Sequence, residues 1–171
     1  MIRSYSLLLA AFAVVAFIGG QAAVPAQSKG EHLPPRLTAK SAQHILAGNC
    51  VLLPTTGEFP DRLKAAFTKL TKQDKFSLAN AGEDYQATDF VEDPKLPFRR
   101  LVLAMKCEKF WFIHYEKGGR SHSYALVLFR DGLSGEPSVV WSGTGPRSNT
   151  REELRKAIAD GLISNSLPYY W

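Results

Sequence analysis

Phe110 to Arg130 reads FWFIHYEKGGRSHSYALVLFR, two runs dense in aromatic and branched residues joined through Gly118-Gly119. A Gly-Gly pair between such runs predicts a β-hairpin, because glycine reaches positive φ at no steric cost and lets the turn follow the strand twist. With a two-residue turn, Lys117 pairs with Arg120, Tyr115 with His122, His114 with Ser123 and Ile113 with Tyr124. Side chains alternate along a strand, so Phe110, Phe112, His114 and Glu116 would share a face with Ser121, Ser123, Ala125, Val127 and Phe129. Trp111, Ile113 and Tyr115 would share the other with His122, Tyr124, Leu126 and Leu128. Both faces are apolar away from the turn, the mark of central strands covered on both sides, or on one side and by a partner's surface.

Strand character extends outward from this hairpin. Arg99 to Cys107 is a strong candidate, since Leu101, Val102 and Leu103 are continuous and Glu108-Lys109 can turn the chain into the hairpin. Tyr85 to Val91 precedes it, ended by Glu92-Asp93-Pro94, and Ser138 to Ser142 follows the turn-rich stretch after Arg130. Strands joined in sequence by tight turns form an antiparallel meander, here in the order Tyr85, Arg99, Phe110, Ser121, Ser138. Asn49 to Leu53 adds a brief extended piece.

Helical spacing appears three times. Thr38 to Gly48 has a capping threonine, a glycine stop, and Ala42, Ile45 and Leu46 on one face. After Pro60 or Asp61, the residues Leu63, Ala66, Phe67 and Leu70 follow the i, i+3, i+4, i+7 pattern, with Arg62, Lys64, Lys69 and Lys72 opposite. Thr150 and Glu153 have capping-box spacing, and Leu154, Ala157 and Ile158 share a face before Gly161. These elements predict an α+β fold: a four- to five-stranded antiparallel β-meander with about three helices packed mainly on one face.

The N-terminus changes which residues belong to that domain. Arg3, the apolar run Leu7 to Ile18, and the small residues Gly20, Ala22, Ala23 and Ala26 have the layout of a secretory signal peptide. We assign 1–26 to the signal, with cleavage near 22–26, 27–37 to a flexible lead-in, and 38–171 to a single domain. The apolar run falls short of the roughly 20 residues that a spanning helix needs, so no transmembrane helix is expected in the mature chain. The composition suits a bacterial leader, which places the mature chain in the periplasm or outside the cell. The tail from Leu162 ends in Tyr169-Tyr170-Trp171, an aromatic cluster that either docks on the body or forms a contact site.

The chain's only two cysteines, Cys50 and Cys107, read as a disulfide in an oxidising compartment. Closing such a loop contributes about 4 kcal/mol in the chain-entropy model. Two cysteines also exclude a cysteine-rich zinc site. The formal charge of +5 falls to +4 once Arg3 leaves with the signal, and the lysines are scattered, so no specific nucleic-acid signal arises.

Chemistry is concentrated at the polar end of the hairpin. His114, Glu116, Ser121 and Ser123 on one face would bring together a base, a carboxylate and a hydroxyl nucleophile, and His114 with Glu116 and Ser123 are the catalytic candidates. No GxSxG elbow accompanies them. His114 and His122 point to opposite faces in this register, against a shared metal ion with Glu116 or His44, although a one-residue slip in the turn would reverse that. Tyr115, His122, Arg100 and Arg120 are the ligand-binding candidates, Tyr115 stacking on His122. Arg99, Arg100, Lys106 and Arg120 could form a cationic rim for a phosphate or carboxylate. Gly143-Thr144-Gly145-Pro146-Arg147 lacks the lysine of a phosphate loop, and Pro146 removes an amide donor. No cofactor is implied. The residues favour a small exported non-catalytic module that binds a protein, an envelope component or a small ligand. The alternative is a periplasmic hydrolase using His114 with Ser123 or Glu116.

Overall fold

The computed structural model describes residues 37–91, 93–133 and 135–166. Residues 1–26, where a signal peptide is expected, the expected lead-in except Leu37, and the aromatic residues Tyr169, Tyr170 and Trp171 lie outside the described residues. The described chain runs α1 (Ala39–Ala47), β1 (Cys50–Leu52), a short 3-10 turn (Thr56–Glu58), α2 (Asp61–Thr71), β2 (Arg99–Cys107), β3 (Phe110–Lys117), β4 (Ser123–Asp131), β5 (Pro137–Gly145), α3 (Arg151–Ala159) and β6 (Ser164–Asn165). The strands form one six-stranded sheet in chain order, with every named pair antiparallel. The fold is α+β.

Local chemistry sets the helix starts. Thr38 Oγ1 accepts from the Ser41 amide at 3.2 Å, and Thr150 Oγ1 accepts from the Glu153 amide at 3.1 Å, satisfying donors that a helix cannot pair internally. Glu153 returns its carboxylate to the Asn149 amide at 2.7 Å, one residue before the cap. On one sheet face, Phe112, Leu126 and Leu128 pack against Ala42 and Leu46 of α1 and Leu154, Ala157 and Ile158 of α3. On the other, Ile113, Tyr115, Ala125, Val127 and Phe129 meet Leu63 and Phe67 of α2, the Phe67 and Tyr115 rings edge to face at 5.3 Å. Fully burying each large apolar side chain contributes about 1.5–3 kcal/mol. Two helices thus cover one face and a single helix the other. The central strands β3 and β4 are buried on both faces.

Cys50 and Cys107 are disulfide-bonded, and they are also cross-strand partners of β1 and β2. The bond fastens the edge strand, whose Val51 and Leu52 are exposed, to the body of the sheet.

Two expectations about the sheet change. Residues 85–91 do not form a strand. The edge of β2 that they would have used is already occupied: the Ala79 amide donates to the Arg99 carbonyl and the Leu101 amide to the Ala79 carbonyl, both at 2.9 Å. Residues 80–98 instead loop outward, and β6, absent from the sequence reading, completes the opposite edge.

The hairpin register also differs. Lys117 pairs with Ser123, Glu116 with Tyr124, Tyr115 with Ala125 and His114 with Leu126, so residues 118–122 form a five-residue loop. The glycines have another use. A Cβ on Gly118 would lie 1.9 Å from the Gln86 carbonyl oxygen, so only glycine permits this approach, while Gly119 has φ of +89°. Their amides donate outward, Gly118 to the Phe98 carbonyl and Gly119 to the Ala87 carbonyl. Docking of the 80–98 loop therefore replaces the tight turn. The displacement is by three residues, an odd number, and it exchanges the faces of β4 relative to β3.

Candidate functional site

Polar side chains gather around Glu116. On the face covered by α1 and α3, pairing sets Arg100 of β2 beside Glu116 of β3, Glu116 beside Tyr124 of β4, and Tyr124 beside Gly145 of β5. The row two steps further along is Leu103, His114, Leu126 and Gly143, and beyond it come Met105, Phe112, Leu128 and Trp141. The same face thus passes from apolar under the helices to polar at the hairpin end.

The Arg100 guanidinium donates through Nη2 to Glu116 Oε2 at 2.8 Å. His122, carried back by the 118–122 loop, sets Nε2 2.7 Å from Oε1, and the Tyr124 hydroxyl donates to that same oxygen at 3.4 Å. The Tyr85 hydroxyl also hydrogen-bonds the carboxylate, and the Tyr85 ring lies 4.3 Å from the Arg100 guanidinium carbon. Burial alone would raise the Glu116 carboxyl. Hydrogen bonds from His122, Tyr85 and Arg100, with the Arg100 charge, outweigh burial and hold it at about 2. Burial first, and then the Glu116 carboxylate, push the Tyr85 phenol up to about 12. The hydrogen bond to Glu116 raises Arg100 above its ordinary value.

His122 is the member of the group that meets solvent, its side chain 46% exposed against 6% for Glu116. Glu116 is ionised and accepts only, so Nε2 carries the proton of the 2.7 Å bond. The Tyr124 ring stands edge-on to the imidazole at 5.3 Å. Among the described residues Nδ1 has no hydrogen-bond partner. The result is a partly exposed imidazole oriented by a buried carboxylate.

His114 is placed differently. It is 1% exposed, with Nδ1 2.9 Å from the Ala125 carbonyl and Nε2 accepting from the Ser148 amide at 3.1 Å. A carbonyl can only accept, so Nδ1 carries the proton and the ring is neutral. Burial lowers it to about 4, with the Arg147 charge acting in the same direction and the Ala125 bond opposing. Both nitrogens are engaged by backbone, and His114 acts as a tie between β3 and the loop before α3.

The other candidates are dispersed. Ser123 lies opposite Lys117, not His114, because of the register change. Tyr115 is fully buried on the α2 face and does not stack on His122. Arg120 is exposed and pairs with Asp89 at 3.1 Å. Of the expected cationic rim, Arg99 and Arg100 are successive strand residues on opposite faces. Lys106 stands at the far end of β2, bonded to Asp131 at 2.6 Å. Arg100 and His122 do come together, on Glu116. Among the described residues no group of three or more His, Cys, Asp or Glu is placed to hold a metal ion.

Sequence reasoning missed Tyr85 and Tyr124 as partners of Glu116. Tyr124 follows from the register once the loop length is known. Tyr85 arrives through a loop contact with no local sequence signal. Comparison with protein-family models, with curated proteins and with solved structures finds no match.

Proposed function

We propose that the chain is a small exported, non-catalytic binding module whose ligand surface is the polar row at the hairpin end. The observation that carries this reading is the Glu116 nest, with His122 presented to solvent above it. A buried ion pair adds little net stability over apolar packing of the same volume, and the two neighbouring rows of this face are filled by apolar side chains or glycine apart from His114. Retaining a carboxylate there makes sense as the foundation of a recognition surface. Tyr85 and Tyr124 supply rigid amphipathic contact area, and Arg100 and His122 supply polar specificity. The layout of residues 1–26 supports export, and a disulfide is at home in an oxidising compartment.

A nuclear magnetic resonance titration tests the site, using amino acids, phosphate monoesters, saccharides and soluble cell-wall fragments as probes. Chemical-shift changes are expected at His122, Tyr124 and Tyr85, and Glu116→Gln should weaken binding by about tenfold or more while the spectrum stays that of a folded protein. Perturbations elsewhere on the surface, or none with any probe, count against the site. Fractionation of cells expressing the whole chain tests export, with a mature N-terminus expected near 22–26.

A second reading, hydrolysis, is favoured by one observation: His122 is oriented by Glu116 and keeps a nitrogen for solvent. In this reading the base is His122 rather than His114. It predicts p-nitrophenyl acetate turnover that His122→Gln removes and His114→Gln, if folded, retains.

A further inference from the structure

The loop formed by residues 80–98 has its own composition and its own exposure. Residues 83–93, EDYQATDFVED, contain five of the chain's 16 acidic residues and no basic one. Since the whole chain is formally +5, removing these five negative charges leaves +10 on the remainder. Phe90 is 75% exposed, Val91 47% and Phe98 40%, three of the seven exposed large hydrophobic side chains among the described residues.

These side chains do not dangle from a loose segment. The Gln86 amide donates to the Pro97 carbonyl at 2.8 Å, and its side-chain Nε2 donates to the Phe90 carbonyl. Thr88 Oγ1 reaches the same carbonyl at 3.1 Å, the Lys95 amide donates to Asp93 Oδ1 at 2.8 Å, and Arg120 pairs with Asp89 at 3.1 Å. The Gly119 amide secures Ala87 to the hairpin loop at 3.0 Å. A loop braced at this many points holds its apolar tip in water when collapse onto the body would bury it. Preorganised apolar anchors of this kind lower the ordering cost of association.

Charge narrows the partner. Even with Asp89 paired to Arg120, the acidic excess of 83–93 disfavours anionic lipid and nucleic acid, so a cationic protein surface is what the loop complements. This chain has one at the same end. Phe67 of α2 meets Tyr115, two residues from the end of β3, so α2 finishes beside the hairpin end. There Lys69, Lys72 and Lys75 are exposed, with one acid, Asp74, among them. An acidic-apolar loop and a lysine cluster on one end of one molecule meet the requirement for a two-fold interface, in which each copy offers both halves.

We propose that the braced loop is a self-association surface, docking Phe90 and Val91 with the exposed Asp84, Asp89 and Asp93 against Lys69, Lys72 and Lys75 of a second copy. The proposal does not rest on what the polar row around Glu116 binds, although Tyr85 of the same loop borders that row.

Sedimentation velocity on the purified protein tests it. At loadings up to about 100 μM and about 50 mM salt, where charge attraction is least screened, a dimer is expected, and about 0.5 M salt should weaken it at least tenfold. Phe90→Ser, a change at an exposed side chain that leaves the loop's backbone bonds intact, should weaken the dimer about tenfold or more. The triple variant Lys69→Glu, Lys72→Glu, Lys75→Glu should abolish it, with circular dichroism confirming the fold of both. A protein that remains monomeric at every loading overturns the proposal, as does a dimer indifferent to both variants. Phe90-dependent binding of poly-L-lysine by a protein that stays monomeric also overturns it, assigning the loop to a foreign cationic partner.

Discussion

His114 and Glu116 are two residues apart on one strand face, and both oppose acid, in adjacent pH windows. His114 has its folded value at about 4 against an ordinary 6.5, so on acidification the unfolded chain takes the proton first. Its contribution to stability is complete above pH 6.5 and is lost as the pH falls to about 4, amounting to about 3 kcal/mol in the limit. Glu116, held at about 2 against 4.5, contributes fully above pH 4.5 and loses that contribution as the pH falls toward 2. Urea unfolding followed from pH 8 to pH 3 should therefore show a decline that begins near 6.5. In His114→Gln the decline between 6.5 and 4 should flatten, while the lower one remains; an unchanged profile would contradict the neutral, doubly bonded imidazole. His114 and Glu116 were both legible in the sequence as candidates. Their roles were not, because a strand residue's neighbours are set by register and by distant loops.

The hairpin loop shows how one element takes its shape from another. Gly118-Gly119 between two strand-forming runs is correctly read as the place where the chain reverses, and β3 and β4 flank it as expected. The two-residue turn fails because the 80–98 loop packs onto the glycines and takes their amides as donors. Gly118→Ala should accordingly be costly, since its Cβ meets backbone at Gln86 and Ala87 and not a flexible side chain. We expect a loss of about 1–3 kcal/mol in urea unfolding, as for overpacking at a tight contact. Gly82→Ala is a useful contrast: its φ of +83° also disfavours a side chain, but no atom lies within 4 Å of the added Cβ. A Gly118→Ala penalty no larger than that of Gly82→Ala would mean the close approach is not what selects glycine. The odd register shift that follows from this packing brings Tyr124 to Glu116 and separates Ser123 from His114.

At the scale of the whole molecule, the sheet is fastened at its two ends by different means. The Glu116 group ties β2, β3 and β4 to the hairpin loop and to Tyr85. At the other end Asp131 accepts from Lys106 at 2.6 Å and from the Trp111 indole at 2.8 Å, and the Cys50–Cys107 bond holds β1. A disulfide acts chiefly by restricting the unfolded chain, and this one closes a sequence separation of 57 residues. Replacing both cysteines by serine should cost about 2–5 kcal/mol, read as a fall in urea midpoint. Hydrogen exchange should then be fastest at the Val51 and Leu52 amides; uniform protection across β1 and β3 would show that the bond does not hold the edge.

The sequence by itself determined the fold class, the three helices, the central strands and the cysteine pair. Each of these rests on periodicity or capping that acts over a few residues, or needs only a count of cysteines. Only the tertiary structure decided which side chains surround Glu116, that His114 is a buried tie and His122 the exposed imidazole, and that residues 85–91 form a loop. Those outcomes depend on which chain segment occupies the edge of β2 and on whether Gln86 can approach Gly118, contacts between residues far apart in the chain. Since strand faces alternate with period two, settling that one contact settled the composition of the candidate site.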